Sequence, residues 1–546
     1  MPTTTNVATY LGHASRQCPD VAAVLLPQRR QGQLSYTRVT YEQLESQASA
    51  IACALELQGV GRGCRVLLMV KPGFELILCV FALFKVGAVP VVIDPGMGWE
   101  HFRTCVRRSR PDVLLGIKPA VLLSPLLLRG YRFQRKLSVG VGWWRQALGQ
   151  ASTAQPYPAA DVAPNELAAV LFTSGSTGPA KGVCYTHGIF DAQVRLLKRQ
   201  YGFAPGEVDL TLLPVFALFN PALGMTTVVP EMDPAKPAQA DPAKIIEAIR
   251  LAGVTNSFGS PTLWRNLVAY CEAQDITLPT VKRIQMAGAP VPPDLIARLQ
   301  GILPSGEVNT PYGATEALPV STISGREVIE RTRALTLTGQ GTCIGRTFDE
   351  IQLRVIRICD EPLEMLSEEL LVPSGELGEL VVSGPVVTRS YDALPEATAA
   401  AKLRDPQDPD RIWHRMGDIG RADEQGYIWF LGRKAERVQT ACGTLYTDPC
   451  EAIFNQHPAV ARSALIGLGD PGEQTPAVVI EPEAGKFASL KMAEKALMPE
   501  LLALAQEHQT TAVIKRFFFK QRFPVDVRHN AKIHRLSLAR EFTAQG

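Results

Sequence analysis

Residues 171–183 read LFTSGSTGPAKGV, and they follow Leu167-Ala168-Ala169-Val170. A buried strand therefore runs straight into a turn of Thr, Ser and Gly that ends on a lysine. Gly175 and Gly178 let the backbone turn tightly and approach a ligand closely. Thr173, Ser174, Ser176 and Thr177 add hydroxyl donors, and Lys181 adds a charge. Consecutive amides in such a turn form a concavity that binds anions. A polyphosphate suits this chemistry. The stretch is not a Walker A loop, because Lys181 is followed by Gly182 rather than Ser or Thr. A plain Gly/Ser surface loop has no need to begin at the end of a buried strand.

The surroundings supply a frame for that turn. Thr40-Tyr41-Glu42-Gln43 reads as a capping box, and Leu44, Ala48, Ile51, Ala52 and Leu55 recur at helical spacing until Gly59 stops the helix. RVLLMV (65–70) predicts a strand, Phe74 to Val86 a helix, and AVPVVIDP (88–95) another strand. Strand, helix, strand in so short a span is a crossover unit with parallel strands. The alternation continues through DLTLLPV (209–215) and a helix from Asp241 to Leu251. From about residue 343 the pattern changes. IQLRVIRI, GELGELVVSGP and GYIWFLGRK read as antiparallel sheet.

The expected fold class is α/β: a large N-terminal domain of α/β subdomains plus a β-rich section, with a small mobile α+β C-terminal domain. The boundaries predicted are 1–431, a hinge at 432–436, and 437–546. A chain of 546 residues is too long for one core. Its net charge of +3 argues against nucleic acid as a partner. The apolar run Leu76 to Phe84 is ended by Lys85, far short of the roughly 20 residues that span a bilayer. Eleven cysteines without C-x-x-C spacing suggest reduced thiols in a cytoplasmic protein, and none of the eight histidines falls in a metal-binding spacing. AVLLSPLLLRGYRFQRK (120–136), apolar and then basic, reads as a buried helix followed by a solvated turn, with membrane-surface or partner docking as the competing reading.

LFTSGSTGPAKG resembles the phosphate loop of the adenylate-forming superfamily, whose members use ATP to turn a carboxylate into an acyl-adenylate. The resemblance continues in order along the chain. AGAPVPP (287–293) is similar to the segment lining the adenine, which implies Gly288, Ala289 and Pro290 there. TPYGATE (310–316) matches the aromatic–Gly–x–Thr–Glu motif, HRMGD (414–418) the ribose-binding motif, GRK (432–434) the hinge, and RHNAKIHR (528–535) the C-terminal lysine motif. The implied roles have physical reasons. Tyr312, next to Gly313, can stack on adenine; Thr315 can donate to the α-phosphate. Glu316 can hold Mg²⁺, which offsets charge as pyrophosphate leaves. Asp418 can accept from both ribose hydroxyls, with Arg433 nearby. Lys532 lies among eight Lys or Arg between 515 and 540; as the catalytic cation, it would steady charge between carboxylate and α-phosphate.

FALFNPALGMTTVVPEMDPAKPAQADP (216–242), GQGTCIG (339–345), HRMGD and FPVDVRHNAKI (523–533) together look like the olefin β-lactone synthetases of bacterial long-chain hydrocarbon biosynthesis. That resemblance implies ATP and Mg²⁺, a long-chain 2-alkyl-3-hydroxy acid as substrate, and closure of a β-lactone without coenzyme A. It also allows a complex with other enzymes of that hydrocarbon pathway. Ala435 at the hinge and Met416 before Gly417-Asp418 depart from the thiol-using relatives. A fatty acyl-CoA or acyl-carrier ligase is the alternative, and a non-catalytic nucleotide-binding scaffold the third reading. PVFALF (214–219) is a candidate for part of the acyl pocket through Phe216 and Phe219, with an ordinary core strand as the competing reading.

Overall fold

The computed structural model describes residues 5–151, 155–173, 179–233, 236–526 and 532–544. The helix Tyr41–Leu57 begins as the capping box requires: Gln43 N–H donates to Thr40 Oγ1 (3.2 Å) and Thr40 N–H to Gln43 Oε1 (3.0 Å). Its Leu44, Ala48, Ile51 and Leu55 stripe is buried with the apolar helix Phe74–Lys85 on one face of a sheet. The helix Trp99–Ser109 covers the other face through Phe102, Cys105 and Val106. Among the described residues this sheet has six strands, ordered Arg135–Ser138, Val113–Gly116, Arg65–Met69, Val89–Val92, Leu167–Phe172, Gly182–Thr186. The first five are parallel, as the crossover pattern predicts.

The sixth strand is new. Gly182–Thr186 pairs antiparallel with Leu167–Phe172, so one short strand intervenes before the helix His187–Tyr201. The apolar stretch Val183-Cys184-Tyr185 extends before Thr186 caps the helix His187–Tyr201. Gly182 permits the tight pairing, since a Cβ there would come within 2.9 Å of Phe172 and Val170.

A second sheet runs to fourteen strands among the described residues. Its parallel half includes Arg283–Met286, Asn256–Gly259 and Val208–Thr211, and its antiparallel half includes Gly378–Ser383, Ile412–Ala422 and Ile428–Arg433. The strand Glu307–Ala314, parallel to one neighbour and antiparallel to the other, is where the two halves meet. Downstream, Val460–Leu468, Thr475–Pro482 and Arg516–Phe519 form a separate three-stranded sheet. Cys450, Phe454, Leu465, Val478, Leu501 and Phe517 make a core of their own there.

Two local expectations are corrected. PVFALF is a 3-10 turn, Pro214–Phe219, following the strand Val208–Thr211, because Pro214 and the Asn220-Pro221 step end the extended run. The segment after Ile117 does form a helix, Lys118–Leu127, but not a buried one: only Ala120 and Ser124 are buried, while Leu122, Leu123 and Leu126 face solvent. All eleven cysteines are free; five are buried and two are exposed.

Candidate functional site

The phosphate-loop candidate is tied at its neck. Thr173 N–H donates to the Lys181 carbonyl (3.0 Å), and Lys181 N–H donates to Thr173 Oγ1 (3.1 Å). Ser174, Gly175, Ser176, Thr177 and Gly178 lie outside the described residues. Below the neck, Arg108 donates to the Ala180 carbonyl (3.1 Å). Lys181 itself leans over the ring of Tyr391, 4.8 Å from its centre.

Thr315 and Glu316 occupy the turn between the strands Glu307–Ala314 and Ala317–Ser324. That turn is held by its backbone. Tyr185 Oη donates to the Thr315 carbonyl (2.6 Å), and the Glu316 carbonyl accepts from Thr388 N–H (2.9 Å) and Thr388 Oγ1 (3.0 Å). Gly313 is needed for the turn's tightness, since a Cβ would lie 2.7 Å from the Ala317 carbonyl. The Glu316 carboxylate accepts from Tyr391 Oη (2.7 Å).

Tyr312 Oη donates to Asp418 Oδ2, and Arg433 donates to Asp418 Oδ1 (2.6 Å). Asp418 and Arg433 stand directly opposite one another on neighbouring strands. Burial, then the Asp418 charge, pushes the Tyr312 hydroxyl well above its usual range, while Asp418 raises the Arg433 guanidinium. Both groups thus stay protonated and act as donors. Asp418 itself is buried, and a carboxylate has about four lone-pair positions, so two remain for further donors.

Gly288, Ala289 and Pro290 follow the strand Arg283–Met286 and run along the adjacent strand end, where Ala287 N–H donates to the Gly259 carbonyl (3.3 Å). Gly288 has a φ of +101°, a conformation that suits glycine. Phe258, next to Gly259, stacks on Phe216 with ring centres 4.0 Å apart, and Phe216 stacks on Phe219 at 6.5 Å. Phe219 and Tyr312 pack against the same apolar cluster. The aromatic row thus extends from the Gly288 segment towards Tyr312, and all three of its rings are only partly buried.

Lys532 lies between the strand Arg516–Phe519 and the helix Arg535–Thr543. Its N–H donates to Asp526 Oδ1 (2.9 Å), and its carbonyl accepts from Asp526 N–H (3.1 Å), which fixes its backbone. The side chain keeps contact with solvent, yet crowding by the surrounding protein lowers its ammonium pKa. Asp526, Asp418 and Glu316 oppose that lowering, and Arg433 adds to it. Lys532 therefore stands within the electrostatic field of both Asp418 and Glu316.

Several groups here escaped the sequence reading. Lys402 is buried, donates to Thr388 Oγ1 (3.2 Å), and lies 6.0 Å from the centre of the Tyr391 ring. Burial pushes its pKa down to about 7, with Lys181 adding to the effect and Glu316 opposing it. His414, directly opposite Lys402 on the next strand, is held neutral by burial and by that amine. Lys434 of the GRK motif donates to Glu379 Oε2 (3.0 Å) and to the Cys359 carbonyl (2.8 Å), so it is anchored to the large sheet. No local spacing signals Tyr391 or Lys402; a bridge from Val183 to Tyr391 and the pairing of Lys402 with His414 bring them in.

The family model of AMP-binding enzymes matches residues 12–392. The chain is 44% identical over 547 residues to an olefin beta-lactone synthetase of Stenotrophomonas maltophilia, covering 98% of this chain and 97% of that protein. It is 42% identical over 555 residues to an olefin beta-lactone synthetase of Xanthomonas campestris, covering 99% and 98%. Among solved structures, the o-succinylbenzoate coenzyme A synthetase of Bacillus subtilis, in complex with its acyl-adenylate intermediate, superposes with a TM-score of 0.75 over 97% of both chains. At 20% identity, that likeness is one of fold.

Proposed function

The chain belongs to the AMP-binding enzyme family and is an AMP-forming ligase; from that premise we propose that it adenylates a long-chain 2-alkyl-3-hydroxy acid and closes it to a β-lactone. The observation that carries this reading is its similarity over nearly the whole length to two olefin beta-lactone synthetases. The site is compatible with it. ATP would lie with its phosphates at the Thr173–Lys181 loop, its adenine between Tyr312 and the Gly288-Ala289-Pro290 segment, and its ribose on Asp418.

Among the described residues no cluster of three His, Cys, Asp or Glu is placed to cage a cation. Mg²⁺ is commonly held by one or two carboxylates together with substrate phosphates, and Glu316, oriented by Tyr391, fits that pattern. When bound, the ion offsets negative charge on the departing pyrophosphate.

In the first step a carboxylate oxygen of the acid attacks the α-phosphorus and pyrophosphate leaves. Lys532 and the amides of the loop stabilise the charge that gathers there. In the second step the β-hydroxyl oxygen attacks the acyl carbon. The bond from that carbon to the phosphate oxygen breaks, AMP departs with that electron pair, and the hydroxyl proton passes to its phosphate or to solvent water. Holding the hydroxyl beside its own carbonyl makes this attack intramolecular, with a high effective concentration. Coenzyme A has no part in the scheme. Residues 432–436 would be the pivot between a large domain, 1–431, and a smaller one, 437–546, that carries Lys532. Phe216 and Phe219 would line the start of the acyl channel.

The test is incubation with ATP, Mg²⁺ and a long-chain 2-alkyl-3-hydroxy acid in the absence of any thiol. Lactone and AMP in equal amounts are the expected products. Acid that stays at the adenylate until coenzyme A or a carrier thiol is added would replace this reading with a thioester ligase.

A further inference from the structure

The helix Lys118–Leu127 turns an apolar face outward. Leu122, Leu123 and Leu126 are 67%, 50% and 57% exposed, and nothing among the described residues covers them. The neighbouring helix Trp99–Ser109 runs alongside. Arg103 donates to the Leu127 carbonyl (2.6 Å) and Arg107 to the Arg129 carbonyl (2.8 Å). That helix starts with Trp99, the most exposed of the six tryptophans at 41%.

The charge around this face is of one sign. Lys118, Arg129, Arg132, Arg135 and Lys136 are all exposed, and no acidic residue falls between 118 and 136. None of the five takes part in an ion pair among the described residues, although the chain has many exposed arginines that do. Arg107 and Arg110 are further exposed cations on the adjoining helix and its end. The acidic groups nearby are Glu100, on that helix's first turn, and Asp112, whose carboxylate already accepts from Arg65 N–H and Gln134.

We propose that this face docks the enzyme on an anionic lipid surface, with the three leucines in the acyl boundary and Lys118, Arg129, Arg132 and Lys136 on the headgroup phosphates, while Arg135 turns to Gly59 on the other side of the sheet. A short apolar face edged by Lys and Arg suits a helix lying in the membrane plane, and clusters of such cations are drawn to anionic leaflets. Tryptophan is enriched at that interface. No helix among the described residues is long and apolar enough to cross a bilayer, so the contact would be peripheral. A protein partner would have to supply an acidic rim around an apolar centre; a bilayer of acidic lipid supplies both in one material. The inference stands apart from the lactone chemistry, because it rests on side chains that have no part in it.

The experiment is co-sedimentation of the full chain with phosphatidylglycerol–phosphatidylcholine vesicles and with pure phosphatidylcholine vesicles. Binding to the acidic vesicles, weakened by high salt, is expected. Two double variants, Leu122→Asp with Leu126→Asp and Arg132→Glu with Lys136→Glu, should each lower the partition coefficient by about tenfold or more. Both should leave carboxylate-dependent pyrophosphate exchange unchanged, which shows that they fold. Absence of binding by the unaltered protein, or equal binding by both variants, overturns the proposal. So does a dimer in solution that Leu126→Asp dissolves, because the face would then belong to a contact between copies.

Discussion

Tyr391 donates its hydroxyl hydrogen to Glu316 at 2.7 Å, while the face of the same ring carries Lys181 at 4.8 Å. One aromatic side chain thus joins the carboxylate proposed for a magnesium ion with the lysine at the end of the candidate phosphate loop. Burial and the Glu316 charge raise the tyrosine's pKa, so it remains a donor throughout the working pH range.

Removing only that donor is a clean test. Tyr391→Phe keeps the ring under Lys181 and frees the Glu316 carboxylate to swing. A hydrogen bond to a charged group contributes about 1.5–3 kcal/mol, so adenylation should slow by about tenfold or more and need more Mg²⁺ to saturate. Pyrophosphate exchange measured across a magnesium titration reads both effects. An unchanged magnesium dependence would detach Tyr391 from the role given to it.

Lys532→Ala should abolish adenylation while ATP binding persists. Loss of a positioned cation at the reacting phosphate costs about a hundredfold to a thousandfold. Calorimetric titration with ATP separates the two functions. Exchange at the normal rate in this variant would take Lys532 out of the chemistry.

Arg535 follows three residues later and does different work. It donates to both oxygens of Glu451 (2.6 Å each) and to Glu436 Oε2 (3.0 Å), and all three side chains are largely buried. Arg535→Met strands two carboxylates. Breaking a buried pair from one side costs about 3–5 kcal/mol, and a lower denaturant midpoint should report it. A midpoint that does not move would mean that solvent already reaches those carboxylates.

A pH signature should come from Asp209. Burial pushes its carboxyl pKa up to about 6, although Thr211 and Asn220 both donate to it. A carboxyl whose pKa is raised in the folded state binds its proton more tightly there than in the unfolded chain. Stability from this group is therefore complete below the ordinary carboxyl range and is lost as pH rises through about 6. Asp209→Asn removes that dependence. Whatever its constant offset, the variant should gain on the native chain by about 2–3 kcal/mol between pH 4 and pH 8. Parallel stability curves would show Asp209 to be ionised at no cost.

The sequence made some of this legible and hid the rest for physical reasons. The parallel crossovers and the capping box at Thr40 depend on local periodicity and spacing, which show in a string of letters. Asp418 and Arg433, each carried by a motif, prove to be cross-strand partners. Tyr391 and Lys402 could not be found in this way. Tyr391 enters through a single bridge to Val183, and Lys402 through its pairing with His414, contacts that span many residues. The helix Lys118–Leu127 misleads in the opposite direction. Its leucines are as apolar as any core stripe, and only the position of the helix at the sheet's margin, between Val113–Gly116 and Arg135–Ser138, turns them outward.

The C-terminal segment is held to the preceding part of the chain by several contacts. Gln456 holds the Leu337 carbonyl (2.7 Å), Arg437 grips Asp360, and Gly432 leaves just enough space for Thr447. A swing about residues 432–436 would have to break these contacts, so each of them would set part of the barrier to that motion.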